Sequence, residues 1–147
     1  MTPDECLRIY GEAWFEDDDE QRVAVLQRCC TEDVVFVDPQ LGRLEGLDAV
    51  SKMIASYRAM MREGADPNDT AASTERAAGR SGGGVTVDVV TGIDIEHGFF
   101  RYSFVWTFPN GTSMGGTDFG EFAADGRMSL ITVWPATDDF PLPAHGA

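Results

Sequence analysis

The sequence predicts an α+β domain: three N-terminal helices packed on a curved antiparallel sheet, which together form a cone around an apolar pocket. Three observations point to this. Apolar residues recur at three- and four-residue spacing through much of residues 1–63, the signature of amphipathic helices. From Val85 the period switches to two and holds to Trp134, the signature of strands. One apolar run, Val34-Val35-Phe36-Val37, interrupts the helical half and reads as a central strand packed on both faces. Helices followed by strands bury both apolar surfaces by laying the helices on one face of the sheet.

Each element has its own local signature. Thr2-Pro3-Asp4-Glu5 is a capping box with proline at the first helical position, and the helix should run to about Glu16. Cys6, Tyr10, Ala13 and Trp14 form its inner stripe, which places Tyr10 and Trp14 one turn apart. A second helix is expected from near Asp18 to near Cys30, with Val23, Leu26, Cys29 and Cys30 inside. Thr31-Glu32-Asp33 reads as a turn into the central strand, which ends at Asp38-Pro39. Pro39 forbids continuation into a helix and favours an extended Asp38. Alternation puts Asp38 on the face of Phe36 and Val34, where desolvation would oppose ionisation, although an Asp-Pro pair also suits a side-chain-capped turn. Gln40 to Gly46 reads as a polar loop, and a third helix should span Leu47 to Glu63 on the stripe Leu47, Val50, Ile54, Tyr57 and Met61.

Residues 64–84 are rich in Gly, Ala, Ser, Thr and Asp, cannot form a core, and read as a flexible insertion. Beyond it, Val85 to Val89 and Ile93 to Glu96 alternate as strands, and His97-Gly98 marks a hairpin turn. The strand from Phe99 to Phe108 carries Phe100, Tyr102, Phe104, Trp106 and Phe108 on one face. Pro109-Asn110-Gly111 turns it into the strand Thr112 to Phe122, where Gly115-Gly116 signals a bulge or a close approach of backbone. Without a bulge, Met114, Asp118 and Phe122 share a face. Asp118 is then a mid-strand carboxylate on an apolar surface, costly unless paired, protonated or functional. The last strand, Arg127 to Trp134, is expected to turn Met128, Leu130, Thr132 and Trp134 to one side.

Composition bounds the function. The 147 residues suit a single domain over 1–147, and 11 basic against 25 acidic residues give a formal charge of −14, which would repel nucleic acid and anionic membranes. The run Glu16 to Glu20 reads as a solvated helix–helix turn. No apolar run approaches the roughly 20 residues that span a bilayer, and the acidic start lacks the pattern of a signal peptide. Cys6, Cys29 and Cys30 form neither a disulfide framework nor a metal spacing, so buried reduced thiols and a cytoplasmic location are expected. No metal, nucleotide or flavin is expected as cofactor. The sheet face without helices must be hidden, which predicts a homodimer.

With these residues in hand, the chain resembles the nuclear-transport-factor-2-like superfamily, in particular its SnoaL-like and ketosteroid-isomerase-like branch. The resemblance rests on Tyr10-Gly11-Glu12-Ala13-Trp14, Val35-Phe36-Val37-Asp38-Pro39, Gly46-Leu47-Asp48-Ala49-Val50 and Asp118-Phe119-Gly120-Glu121-Phe122 followed by Gly126. It covers most of residues 3–135 apart from the 64–84 insertion. Tyr10, Asp38 and Asp118 look like the helix-one tyrosine, the first-strand aspartate before proline and the penultimate-strand aspartate of ketosteroid isomerases. The resemblance implies that Asp38 moves a proton while Tyr10 and a protonated Asp118 form an oxyanion hole. Trp14, Phe36, Phe104, Trp106, Met114 and Trp134 would line the site for a small hydrophobic carbonyl compound. A cofactor-independent isomerase or polyketide cyclase is the function this implies. An epoxide hydrolase-type enzyme and a non-catalytic ligand-binding or dimerisation module of the same fold are the alternatives.

Overall fold

The computed structural model describes residues 1–63 and 85–142. The expected insertion at 64–84, with its stop at Gly64, therefore lies outside the described residues. The element order is α1 (Pro3–Ala13), α2 (Asp19–Cys29), β1 (Cys30–Asp38), β2 (Gly42–Glu45), α3 (Leu47–Glu63), β3 (Thr86–Val89), β4 (Asp94–Glu96), β5 (Phe99–Thr107), β6 (Ser113–Phe122) and β7 (Met128–Pro135). Three helices cover one face of a curved, unclosed sheet, the expected α+β arrangement. No helix among the described residues is long and apolar enough to cross a membrane.

The capping box forms as read: Glu5 N–H donates to Thr2 Oγ1 at 3.2 Å, and Thr2 N–H donates to Glu5 Oε2 at 3.3 Å. α1 stops at Ala13, short of Glu16, because Trp14, Phe15 and Glu16 turn their amides onto the carbonyls three residues back. The acidic run that follows connects α1 to α2 with Asp17 to Glu20 exposed, as expected, and it also engages its neighbours. Asp18 caps α2 by accepting from Gln21 N–H at 2.8 Å. Arg22, buried on α2, donates to the Glu16 and Asp17 carbonyls and pairs with Asp19 at 2.8 Å. Arg58, buried on α3, pairs with Asp17 and donates to the Trp14 carbonyl. Two guanidiniums thus satisfy the carbonyls at the end of α1 and tie all three helices together at one corner.

The sheet runs β2-β1-β7-β6-β5-β3, with β4 also paired to β5. Every neighbouring pair is antiparallel except β1 and β7, which are parallel. Thr31 to Asp33 belong to β1, not to a turn, and the expected polar loop after Pro39 folds back as β2. Thr31 to Asp33 lie in the irregular stretch of β1 between its pairs Cys30↔Met128 and Val35↔Leu130 with β7, and β2 pairs with β1 once Gly42, at φ +80°, turns the chain.

Gly115 and Gly116 introduce no bulge, and the β5–β6 register is continuous from Phe99↔Glu121 to Thr107↔Ser113. They serve the close approach. A Cβ at Gly115 would meet the Leu142 side chain at 2.7 Å and the Phe104 carbonyl at 2.8 Å. The irregularity lies in β7 instead. Glu121 pairs with Leu130 but Phe122 pairs with Met128, which places an extra residue, Ser129, on β7. Met128 is buried before it, and Ile131 after it, so the alternation flips. Trp134, expected on the pocket side with Met128, is therefore 63% exposed, and Val133 takes the inward place.

The core joins the helices to the sheet through Cys6, Leu26, Val34, Phe36, Val50, Ile54, Phe100 and Ile131. Cys6, Cys29 and Cys30 are buried and free, and burial, chiefly, pushes the Cys6 thiol up to about 12. At Gly120 a side chain has no room, because a Cβ would collide with the Leu130 carbonyl and the Phe100 ring. Gly120→Ala is expected to cost about 1–3 kcal/mol of stability by overpacking, read as a lower urea midpoint. An unchanged midpoint would show that β6 and β7 are not packed this closely.

Candidate active site in the cone

Asp38 and Asp118 are brought to one row of the sheet by register alone. Val37 pairs with Thr132, so Asp38 at the end of β1 stands level with Val133. Val133 pairs with Asp118, and Asp118 pairs with Tyr102. The two aspartates lie on the helix-covered face with one strand between them, about 10 Å apart at Cα from the strand spacing. Both are buried.

Their surroundings differ. Asp38 is saturated with donors: Oδ1 accepts from Gln40 N–H at 2.8 Å and Leu41 N–H at 3.0 Å, and Oδ2 accepts from the Tyr57 hydroxyl at 2.8 Å. Both readings of the Asp-Pro pair thus hold at once, since Asp38 caps its own turn and also lines the cavity. Partial burial, then the bond to Asp38, pushes Tyr57 up to about 12. Asp118 has one hydrogen-bond partner among the described residues. Its Oδ2 accepts from the Tyr102 hydroxyl at 2.7 Å, whereas its buried Oδ1 has no hydrogen-bond partner among the described residues. Burial raises the Asp118 carboxyl to about 7, and Tyr102, by stabilising the ionised form, keeps it from going higher. Tyr10 and Tyr102 are both held well above the ordinary tyrosine range, first by burial and then by the charge of Asp118. Each is therefore a neutral hydroxyl at ordinary pH.

Aromatic rings connect the two carboxyls. Trp14 packs edge-on to Tyr10 at 6.4 Å between ring centres, and it also touches Tyr57 at 6.0 Å and Trp106 at 5.6 Å. Its carbonyl is the one that accepts from Arg58, so the buried arginine fixes the helix end that carries this ring. These groups line a cavity of about 570 Å³. Tyr10, Asp38 and Asp118 all face it, as do Trp14, Phe36, Phe104, Trp106 and Met114, while exposed Trp134 does not.

Two functional side chains escaped the sequence reading. Tyr102 was visible in the aromatic ladder of β5 but was not matched to Asp118. Counting outward from the turn would have found it, since Tyr102 and Asp118 each lie eight residues from Asn110. Tyr57 lay on the stripe of α3, and nothing local marks its hydroxyl as the partner of Asp38.

Fold and site together define an α+β cone with paired carboxyls and tyrosines facing an apolar cavity, the architecture of the NTF2-like proteins. The family model of the SnoaL-like domain matches residues 11–131, and the chain belongs to that family. No curated protein matches it. Among solved structures it is similar to a proposed isomerase of the SnoaL-like family from Agrobacterium tumefaciens, at 22% identity and a TM-score of 0.67, covering 90% of this chain and 96% of that one. A proposed SnoaL-like polyketide cyclase from Jannaschia sp. shares 16% identity at a TM-score of 0.60, covering 90% and 84%. An NTF2-like protein of unknown function from Exiguobacterium sp. shares 15% at 0.53, covering 90% and 98%. At these identities the likeness speaks for the fold.

The titration of Asp118 has a sign that can be checked. Its folded value, about 7, lies above the ordinary 3.8, so the folded protein holds this proton longer than the unfolded chain. Its contribution to stability is complete below about pH 4 and is lost as pH rises from about 4 to about 7, on the order of 1 kcal/mol per pH unit. Asp118→Asn should lack this slope, so its stability relative to the unsubstituted protein should improve between pH 4 and pH 7 in parallel urea titrations. In carboxyl-carbon NMR, Tyr102→Phe should move the Asp118 midpoint upward. A midpoint near 4 in both proteins would remove Asp118 as a dry carboxyl.

Proposed function

We propose that this protein is a cofactor-independent acid–base enzyme acting on a small hydrophobic carbonyl compound. The chemistry would be proton transfer of the ketosteroid-isomerase kind or the related cyclisation of a polyketide-like substrate. The observation that carries this reading is Asp118: a buried carboxyl facing the cavity, raised to about 7, with one oxygen unpartnered among the described residues. Such a group keeps its proton near neutrality and can donate it to a carbonyl oxygen in a dry site. Tyr10 lies on the same cavity wall as a second neutral hydroxyl.

Asp38 is the base in this reading. It stands one strand away across Val133, so a ring lying on Val133 would present its carbonyl to Asp118 and an adjacent C–H to Asp38. Tyr57 and the two turn amides hold the Asp38 carboxylate in place and remain bonded to it when no substrate is present. Charge that builds on the enolate oxygen is met by donors already in position, and the apolar wall of Phe36, Phe104 and Trp106 keeps water from competing. The proposed isomerase and proposed cyclase among the structural neighbours fit this chemistry.

The homodimer belongs to the same proposal. Phe99 and Phe119 stack at 5.7 Å on the outer face of the sheet, and Phe119 lies in the row next to exposed Trp134. A second copy would cover this patch. Sedimentation should give twice the chain mass, and Trp134→Glu should halve it. A monomer in both cases would end the dimer reading.

The chemistry is tested with 2-tetralone, whose α-protons exchange with deuterated water. The protein is expected to accelerate this exchange. Asp38→Asn and Asp118→Asn should each lower the acceleration by about 10²–10⁴-fold, the range for loss of a positioned acid or base. If 2-tetralone binds but exchanges at the buffer rate in all three proteins, the protein is a ligand carrier of the same fold.

A further inference from the structure

Among the described lining of the cavity, acidic side chains outnumber basic ones. Asp4, Asp38 and Asp118 line it, and the one basic side chain among its described lining, Arg8, is paired with Glu12. No arginine or lysine pairs with Asp118 among the described residues; Asp118 lines the cavity, and its buried Oδ1 has no hydrogen-bond partner among those residues. Such a carboxyl has two ways to be stable: it keeps its proton, or it meets a cation brought from outside. Proton transfer to a carbonyl uses the first state. The aromatic wall favours the second as well. Trp14 and Trp106 stand 5.6 Å apart at a tilt of 57°, and Tyr57 closes on Trp14 at 6.0 Å. Ring faces lining the same cavity as a buried carboxyl suit an apolar amine, whose carbon frame is buried on the rings while its charge is paired.

We propose that the cavity binds apolar amines, with the ammonium group against Asp118 Oδ1 and the carbon frame on Trp14 and Trp106. This goes beyond the proton-transfer reading and sets a ligand in competition with it. A carbonyl oxygen requires the neutral Asp118, whereas an ammonium requires the ionised one. At about 7 the carboxyl is close to the balance between these states, so neither ligand has a large protonation cost to overcome. Tyr102 stabilises the ionised state through its bond to Oδ2, which leaves Oδ1 for the ligand. A neutral isostere that replaces the ammonium by a hydroxyl would keep the ring contacts and lose the charge pairing, and a carboxylate in its place would be repelled.

Three probes of one shape separate these cases: 2-naphthylmethylamine, 2-naphthylmethanol and 2-naphthol. Binding to the full chain is read by tryptophan quenching and calorimetry at mildly alkaline pH and physiological salt, where the amine is still cationic. The amine should bind about tenfold or more tightly than the alcohol. In Asp118→Asn that preference should vanish while the affinity for the alcohol is kept. The amine should also move the carboxyl-carbon resonance of Asp118 to its ionised position in the unsubstituted protein, a measurement that does not depend on the variant folding. The proposal is overturned if alcohol and amine bind equally, or if the preference survives in Asp118→Asn, which would assign it to the acidic surface. Binding of 2-naphthol, an enol mimic, without the amine overturns this proposal and leaves the proton-transfer reading standing. Failure of all three probes to bind overturns both.

Discussion

The hydrogen bond from Tyr102 to Asp118, made across the β5–β6 hairpin inside the cone, is the interaction on which the site depends. A carboxyl placed in mid-strand on an apolar face should be a serious cost to the fold. Here it is held by a single donor on the facing strand, and its second oxygen is left without one among the described residues. Burial raises the carboxyl to about 7, and the single bond from Tyr102 keeps it from going higher. Asp38, in the same row of the sheet, has different surroundings. Three donors surround it, two of them amides of its own turn, and it serves as a structural cap as well as a wall of the cavity.

Arg22 and Arg58 tie the three helices together at the α1–α2 corner. Burying two guanidiniums is unfavourable unless each donor finds a partner, and the acidic run together with the carbonyls that follow α1 supplies most of them. Arg58 Nε is left without one among the described residues. Arg58 is adjacent in sequence to Tyr57, so one turn of α3 both anchors the end of α1 and delivers a hydroxyl to Asp38. Trp14 is held between these contacts and touches Tyr57, the partner of Asp38, and Tyr10. The geometry of the site is thus coupled to the packing of the helices, although few of its polar atoms lie on them.

Much of the fold and part of the site were legible in the residues. The capping box of α1, the span of α3, the long ladder of β5 and the inward placement of Asp38 and Asp118 followed from period and local chemistry. Trp134 did not, because one extra residue at Ser129 reverses the alternation downstream, and a bulge in β7 depends on how β6 packs against it. The parallel pairing of β1 with β7 joins segments nearly one hundred residues apart, which no local pattern reports. Tyr57 was seen as a helix-stripe residue only, since hydroxyl partners are set by the angle between α3 and β1.

Taken alone, the sequence determined which residues could carry chemistry and which face of which element they occupied, because periodicity and turn residues are properties of neighbouring positions. Helical spacing placed Tyr10 and Trp14 together, alternation turned Asp38 and Asp118 inward, and the Asn110 turn set the register that pairs Asp118 with Tyr102. Tertiary structure alone decided how those residues meet. It put both aspartates in one row, surrounded one with donors and left the other short of them, and drew the acidic run onto two buried arginines. The protonation of a carboxyl depends on the groups within a few ångströms of it. In this cone those groups come from the turn after β1, from α3 and from β5, and only the packed chain brings them together.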